Sequence, residues 1–290
     1  MSLEEVMPFV MQWGTATDAL AALGAQLAAQ QPGANVHPDI LAAVQEVTKL
    51  AGVPDLTQLP PPQQQMVLGV IRLYLHQAVD LVDHPDRAPG WTFDDPAILD
   101  GYGKGSAMIP MAIAAAHPDL ADVTSFLDVG TGVGLLAASA ANVWPKATVV
   151  GIDPWDTSLA RARDNVKAAG LDDRITLRQV VLADIDDADA FDCIWIPTFF
   201  LAEDVLEKSL GAAVRALRPG GWIALGRTRT MPDPLAHATA SLKWLRGGGS
   251  NLTEARAVEL LEGAGCVQAH EAPPSGPTPI ALVLGQRPAS

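Results

Sequence analysis

The chain is poor in several features that would narrow its class at once. It has 290 residues but only two cysteines, Cys193 and Cys266, far apart in sequence. Neither a disulfide framework nor a metal cluster is expected from such a pair, since both need closely grouped ligands. Cys193 sits inside a strand-like run and reads as a small core residue. No apolar run approaches the ~18 residues that a membrane span requires. The N-terminal MSLEEVMPF carries acids where a secretory leader would carry bases. A soluble, cytoplasmic protein is therefore expected. Basic residues are also scarce, with 19 Lys and Arg against 33 Asp and Glu and a net charge of −14. Residues 1–90 hold nine acids and three bases, and the remainder 24 and 16. No basic half or tail is available to phosphates, so no nucleic-acid partner is expected.

Apolar residues make up 49% of the chain, enough for a sizeable core. Three helical stripes come first. Val6, Phe9, Val10, Trp13, Leu20, Leu23 and Leu27 form one, ended by the turn at Gln31–Gly33. Ile40, Leu41, Val44, Val47 and Ala51 form the second, stopped by Gly52 and Pro54. Pro60–Pro62 opens the third, with Val67, Val70, Ile71, Tyr74, Ala78, Leu81 and Val82 along it. The turn-rich stretch His84–Gly90 follows. Trp91–Pro110 is poor in helix formers and rich in glycine.

The densest signal is Phe126–Gly134, FLDVGTGVG. A short apolar run reads as a buried strand and ends in Asp128. Gly130, Gly132 and Gly134 follow at alternate positions, and Leu135, Leu136, Ala137 and Ala138 open a helix. Glycines suit a sharp turn that a ligand approaches closely, because a Cβ would block it. The dinucleotide fingerprint would place its third glycine where Leu135 stands. Asp128 would also repel a pyrophosphate. A cationic ligand fits this carboxylate better. Further strands are read at Ala147–Ile152, Thr176–Leu182, Phe191–Ile196 and Leu217–Leu225. A helix led by Thr253 follows, then strands at Val267–Ala272 and Ile280–Gly285.

The block Asp128–Gly134 resembles motif I of the class I methyltransferases that use S-adenosylmethionine (SAM), and the later strands match that core in order and spacing. The resemblance covers the chain from about Ala97 onward. It implies an α/β fold, with a Rossmann-like core around a seven-stranded, mostly parallel sheet. An all-α N-terminal cap precedes it. The expected division is a helical cap or dimerisation domain over 1–88, whose helices offer a homodimer contact, and a SAM-binding core over 89–290. SAM is the implied cofactor. Asp128 would face its ammonium, Gly130, Gly132 and Gly134 its methionine part and ribose, and Asp153 the ribose hydroxyls. Pro154 and Trp155 would cover the adenine. Asp184, flanked by Ala183 and Ile185, would take its exocyclic amine. Tyr102, with Lys104 and Ser106, would reach the SAM carboxylate if Trp91–Pro110 folds over the cofactor. The alternative is a plain linker.

The acceptor side is less specific. After the fourth strand the chain reads Trp195-Ile196-Pro197-Thr198-Phe199-Phe200. Many amino-group methyltransferases have Asn/Asp-Pro-Pro-Tyr/Phe there, and many phenol methyltransferases a histidine. This chain has neither. Trp195, Thr198, Phe199 and Phe200 therefore suggest a small, fairly hydrophobic acceptor, with oxygen ahead of nitrogen or carbon; otherwise they are core residues at a helix start. Protein or RNA methylation, and a catalytically silent SAM-binding protein, remain as alternatives. His76, His84, His117 and His270 read as structural. His237 is the best candidate for a base, because the segment after the fifth strand often lines the acceptor pocket.

Overall fold

A computed structural model describes residues 1–91, 95–274 and 280–289. Phe93, one of the aromatics in the Trp91–Pro110 stretch, lies outside them. The chain divides into two compact units. One comprises residues 1–85 and 95–105, the other residues 86–94 and 106–290.

The first unit is helical: α1 (Leu3–Ala29), α2 (Pro38–Leu50), α3 (Pro61–Asp83) and α4 (Pro96–Ser106). Ser2 starts α1 with a capping box, its hydroxyl accepting from the Glu5 N–H while the Glu5 carboxylate accepts from the Ser2 N–H. Leu27 of α1 packs against Leu68 and Ile71 of α3. The apolar residues at the start of α1 are not buried; Phe9 and Trp13 are 56% and 62% exposed. Segment 96–106, read as lacking helix formers, is a helix. Gly101 is the reason. A Cβ there would lie 2.6 Å from the Leu73 Cβ, so its absence lets α4 close onto α3. Tertiary packing here overrides a poor intrinsic propensity.

The second unit is built on a seven-stranded sheet in the order β3-β2-β1-β4-β5-β7-β6. The strands are β1 (Ser125–Val129), β2 (Thr148–Ile152), β3 (Ile175–Arg178), β4 (Phe191–Pro197), β5 (Leu217–Thr228), β6 (Val267–Glu271) and β7 (Ile280–Gln286). β1 to β5 are parallel, and β7 runs antiparallel to both β5 and β6. Helices α5 (Ile109–Ala116), α6 (Leu135–Val143), α7 (Asp156–Ala168), α8 (Glu203–Ala216), α9 (Pro234–Arg246) and α10 (Glu254–Gly263) complete the unit. Alternate strand residues feed two cores. Phe126, Cys193, Trp195 and Trp222 face one, and Leu127, Ile194, Ile196 and Ile223 the other. Cys193 is fully buried, and burial pushes its thiol well above the usual range.

β3 is shorter than the sequence suggests. It is an edge strand, and Ile152 pairs with Arg178 as the last register position. Beyond it β2 offers no partner, so residues 179–181 leave the ladder and Leu182–Asp184 form a short turn. Among the described residues no helix is long and apolar enough to cross a membrane.

Candidate cofactor site

β2 and β4 flank β1 on opposite sides, so strand order reverses there. In open α/β sheets, ligands bind at the carboxyl ends of the strands at such a point. The loop leaving β1 has Gly130, Gly132 and Gly134 at φ +68°, +54° and +78°, a region costly for residues with a Cβ. The Gly130 and Thr131 N–H groups both donate to the Ile152 carbonyl at 2.8 and 3.0 Å, tying the loop to the end of β2. A Cβ on Gly134 would sit 3.0 Å from the Ala162 Cβ, so this glycine serves α6–α7 packing. Among the described residues, a Cβ on Gly132 would meet only the Gly130 carbonyl, at 3.9 Å.

Two carboxylates bracket this loop. Asp153, just past β2, is 6% exposed. Its Oδ2 accepts from the Gly132 N–H and its Oδ1 from the Trp155 N–H, both at 2.9 Å. Burial raises its pKa, and these two bonds oppose the rise. Asp128 is 1% exposed. Its Oδ2 accepts from the Thr131 hydroxyl at 2.7 Å, while its Oδ1 is buried without a hydrogen-bond partner. Burial pushes the Asp128 carboxyl up to about 7; the Asp153 charge adds to the rise, and the Thr131 hydroxyl and Ala137 N–H oppose it. An orphaned carboxylate oxygen beside a cradle free of Cβ atoms fits a cationic ligand. The ammonium of SAM meets that need, and Asp153 suits vicinal hydroxyls.

The other expected residues are more dispersed. Pro154 and Trp155 are exposed beside Asp153, and the Pro154 carbonyl accepts from the Gln179 side chain at 3.1 Å. Ala183 and Asp184 are exposed on the turn after β3, whereas Ile185 is buried in the core. Tyr102 belongs to the helical unit, where its hydroxyl accepts from the Gln77 amide on α3.

Trp195 near the end of β4, and Thr198 and Phe199 just beyond it, are closed off from solvent. The Thr198 hydroxyl donates to the Gly226 carbonyl at 2.8 Å. Phe199 stacks on Trp244 of α9 at 4.7 Å and on Phe200 at 4.8 Å, and Phe200 meets Trp91 at 4.7 Å. Phe200, Trp91 and Trp244 are partly exposed. His237, on α9, is half-buried, and its Nδ1 has no hydrogen-bond partner. His117 caps a turn and stacks on Trp222, and the His270 ring bonds to the Gln268 carbonyl. His76 pairs with Asp95, and His84 with Asp80.

Sequence reasoning missed Thr131 and Trp244. Thr131 occupies a variable position of the glycine motif. Trp244 ends a helix whose apolar pattern is weak.

Residues 126–221 match the family model described as a methyltransferase domain. A curated relative is the U6 snRNA (guanine-N(2))-methyltransferase THUMPD2 of Bos taurus. It is 33% identical over 178 residues, 58% of this chain and 35% of that protein. The chain spans between 25% and 37% of the length of the first curated relatives it matches. A solved O-methyltransferase family protein from Burkholderia thailandensis has a TM-score of 0.68 at 16% identity, covering 100% of this chain and 99% of its own. Human N-acetylserotonin methyltransferase in complex with SAM also gives 0.68, at 14% identity, covering 99% and 100%. At these identities the structural likeness shows the fold. Together, the family match and the glycine loop show a methyltransferase domain over residues 126–221, on the fold that these solved methyltransferases share.

Proposed function

We propose that the chain transfers a methyl group from SAM to a small, fairly apolar acceptor, at oxygen in the first instance and nitrogen or carbon in the second. The aromatic cluster of Trp91, Trp195, Phe199, Phe200 and Trp244 carries the acceptor side of this reading. It gathers at the carboxyl end of β4, one strand from the glycine loop, and presents partly exposed rings at Trp91, Phe200 and Trp244. Such a surface suits an apolar ring or chain. The solved neighbours described as O-methyltransferases support the same choice.

When bound, SAM supplies a methyl group already activated by its sulfonium. The work left to this chain is holding and orienting. Asp128 and Asp153 fix the cofactor from either side of the glycine loop, with Trp155 and Asp184 toward its base. Positioning of this kind supplies ~7–11 kcal/mol of a barrier.

RNA or protein methylation is the second reading, favoured by the cattle relative that acts on an RNA guanine. The acidic charge and the absence of an Asn/Asp-Pro-Pro-Tyr/Phe motif at 197–200 weigh against it. Incubation with SAM, a panel of apolar hydroxyaromatics and a guanine-containing RNA, read by mass spectrometry, separates the readings. A methylated hydroxyaromatic is the expected product. Methylation of the RNA alone, or no product despite SAM binding, overturns the proposal. On the accepted substrate, His237→Ala should lower kcat by less than the ~10²–10⁴-fold typical of a lost general base. The unpartnered Nδ1 shows no carboxylate orienting the ring as a base requires.

We also propose that two copies associate through the N-terminal helices, with exposed Phe9, Val10, Met11 and Trp13 of α1 at the contact. Light scattering should give a dimer, and Phe9→Asp with Trp13→Asp a monomer. A monomeric wild type contradicts this.

A further inference from the structure

Asp128, in β1, and Asp153, just past β2, bracket the glycine loop, yet the structure satisfies them differently. Asp153 is equipped to be an anion, with one backbone N–H on each carboxylate oxygen. Asp128 is more deeply buried, and the Thr131 hydroxyl on its Oδ2, with the Ala137 N–H, does not outweigh that burial. Its other oxygen has no partner. A buried anion with an unfilled lone-pair site, next to a second buried carboxylate, is a costly state. Among the described residues of the sheet unit, no cation is brought against it. The flanking segment of β4 contributes Trp195 and Pro197, and α6 (Leu135–Val143) carries no ionisable side chain. The nearest thiol, Cys193, is buried and held neutral. The ionisable group facing Asp128 is thus Asp153, and it is of like charge.

We propose that Asp128 is a proton-linked cofactor sensor: it holds a proton on its carboxyl in the free protein and releases it to solvent when the SAM ammonium arrives. This rests on the reading of Asp128 as the ammonium partner. The incoming cation supplies the charge the apoprotein lacks, so the carboxylate becomes the favoured form only in the complex. Burial already pushes the free carboxyl up to about 7, which places the exchange near neutral pH. The sign follows. Below that value binding must expel a proton, so affinity falls as pH falls. Above it the carboxylate is already formed, and affinity levels off.

Isothermal titration of the full chain with SAM, between pH 5.5 and 7.0, tests this. Buffers of different ionisation enthalpy count the protons exchanged. The range stays below the ~7.7–8.0 at which an α-amino group itself titrates. The expected result is release of close to one proton at the acid end and roughly tenfold tighter binding at pH 7.0 than at pH 5.5. 5′-Methylthioadenosine keeps the ribose and adenine but lacks the ammonium, and should bind with no proton release. Asp128→Asn should bind SAM more weakly and without the pH slope. SAM binding with no proton exchange in the wild type overturns the proposal and leaves the cofactor reading intact. A slope that persists in Asp128→Asn, or appears equally with 5′-methylthioadenosine, assigns the proton elsewhere and also overturns it. Failure of SAM to bind at any pH overturns the cofactor reading itself.

Discussion

Asp153→Ala should weaken binding of SAM and of S-adenosylhomocysteine by ~1–3 kcal/mol, because ribose hydroxyls taken out of water would lose charged acceptors. The same carboxylate braces the glycine loop through the Gly132 and Trp155 N–H groups, so part of the loss would be positional. Asp153→Asn separates the two effects. An amide has one accepting oxygen, so it keeps part of the bracing and forfeits the charge. Its affinity should fall between the wild type and the alanine variant. Circular dichroism and melting of the unliganded variants should show the fold retained. Wild-type SAM affinity in Asp153→Ala would remove Asp153 from the site.

Gly226→Ala should lower the stability of the sheet unit. A Cβ at Gly226 would lie 2.0 Å from Cη2 of Trp195, with two further indole carbons at 2.8 and 2.9 Å. Trp195 is buried and ringed by Phe199 and the rest of its core cluster, so the indole has little room to move. Overpacking of this kind costs typically ~1–3 kcal/mol and at times more. Chemical denaturation should show a lowered midpoint with an unchanged slope. Trp195→Phe in the same chain should recover much of the loss, since a smaller ring leaves room for the methyl group. Unchanged stability in Gly226→Ala alone would mean that the indole does not lie over that strand.

The conformation of the glycine loop was legible in the sequence for a definite reason. Three positive φ angles in five residues demand glycine, so the backbone conformation is written directly into Gly130, Gly132 and Gly134. Buried parallel strands likewise betray themselves as β-branched runs, and the order of five of them was recoverable. The misread segments depend on distant partners. α4 is a helix because Gly101 meets Leu73, a contact the local sequence around Gly101 does not show. β3 ends at Arg178 because its single neighbour ends, although Gln179–Leu182 would make an acceptable strand. The acceptor side was the least legible. Trp195, Phe199 and Phe200 carry no local mark of whether they pack or bind. Here the first two are buried, and the exposed part of the cluster includes Trp244 from a helix more than forty residues on.

The loop from Asp128 to Gly134 and the acid Asp153 together form the proposed SAM site. Titration calorimetry of the unmodified chain with SAM, and separately with NAD, tests it directly. The expected result is saturable SAM binding at one molecule per chain, weakened in Asp153→Ala, with no measurable heat from NAD. Tight NAD binding with no response to SAM would contradict it.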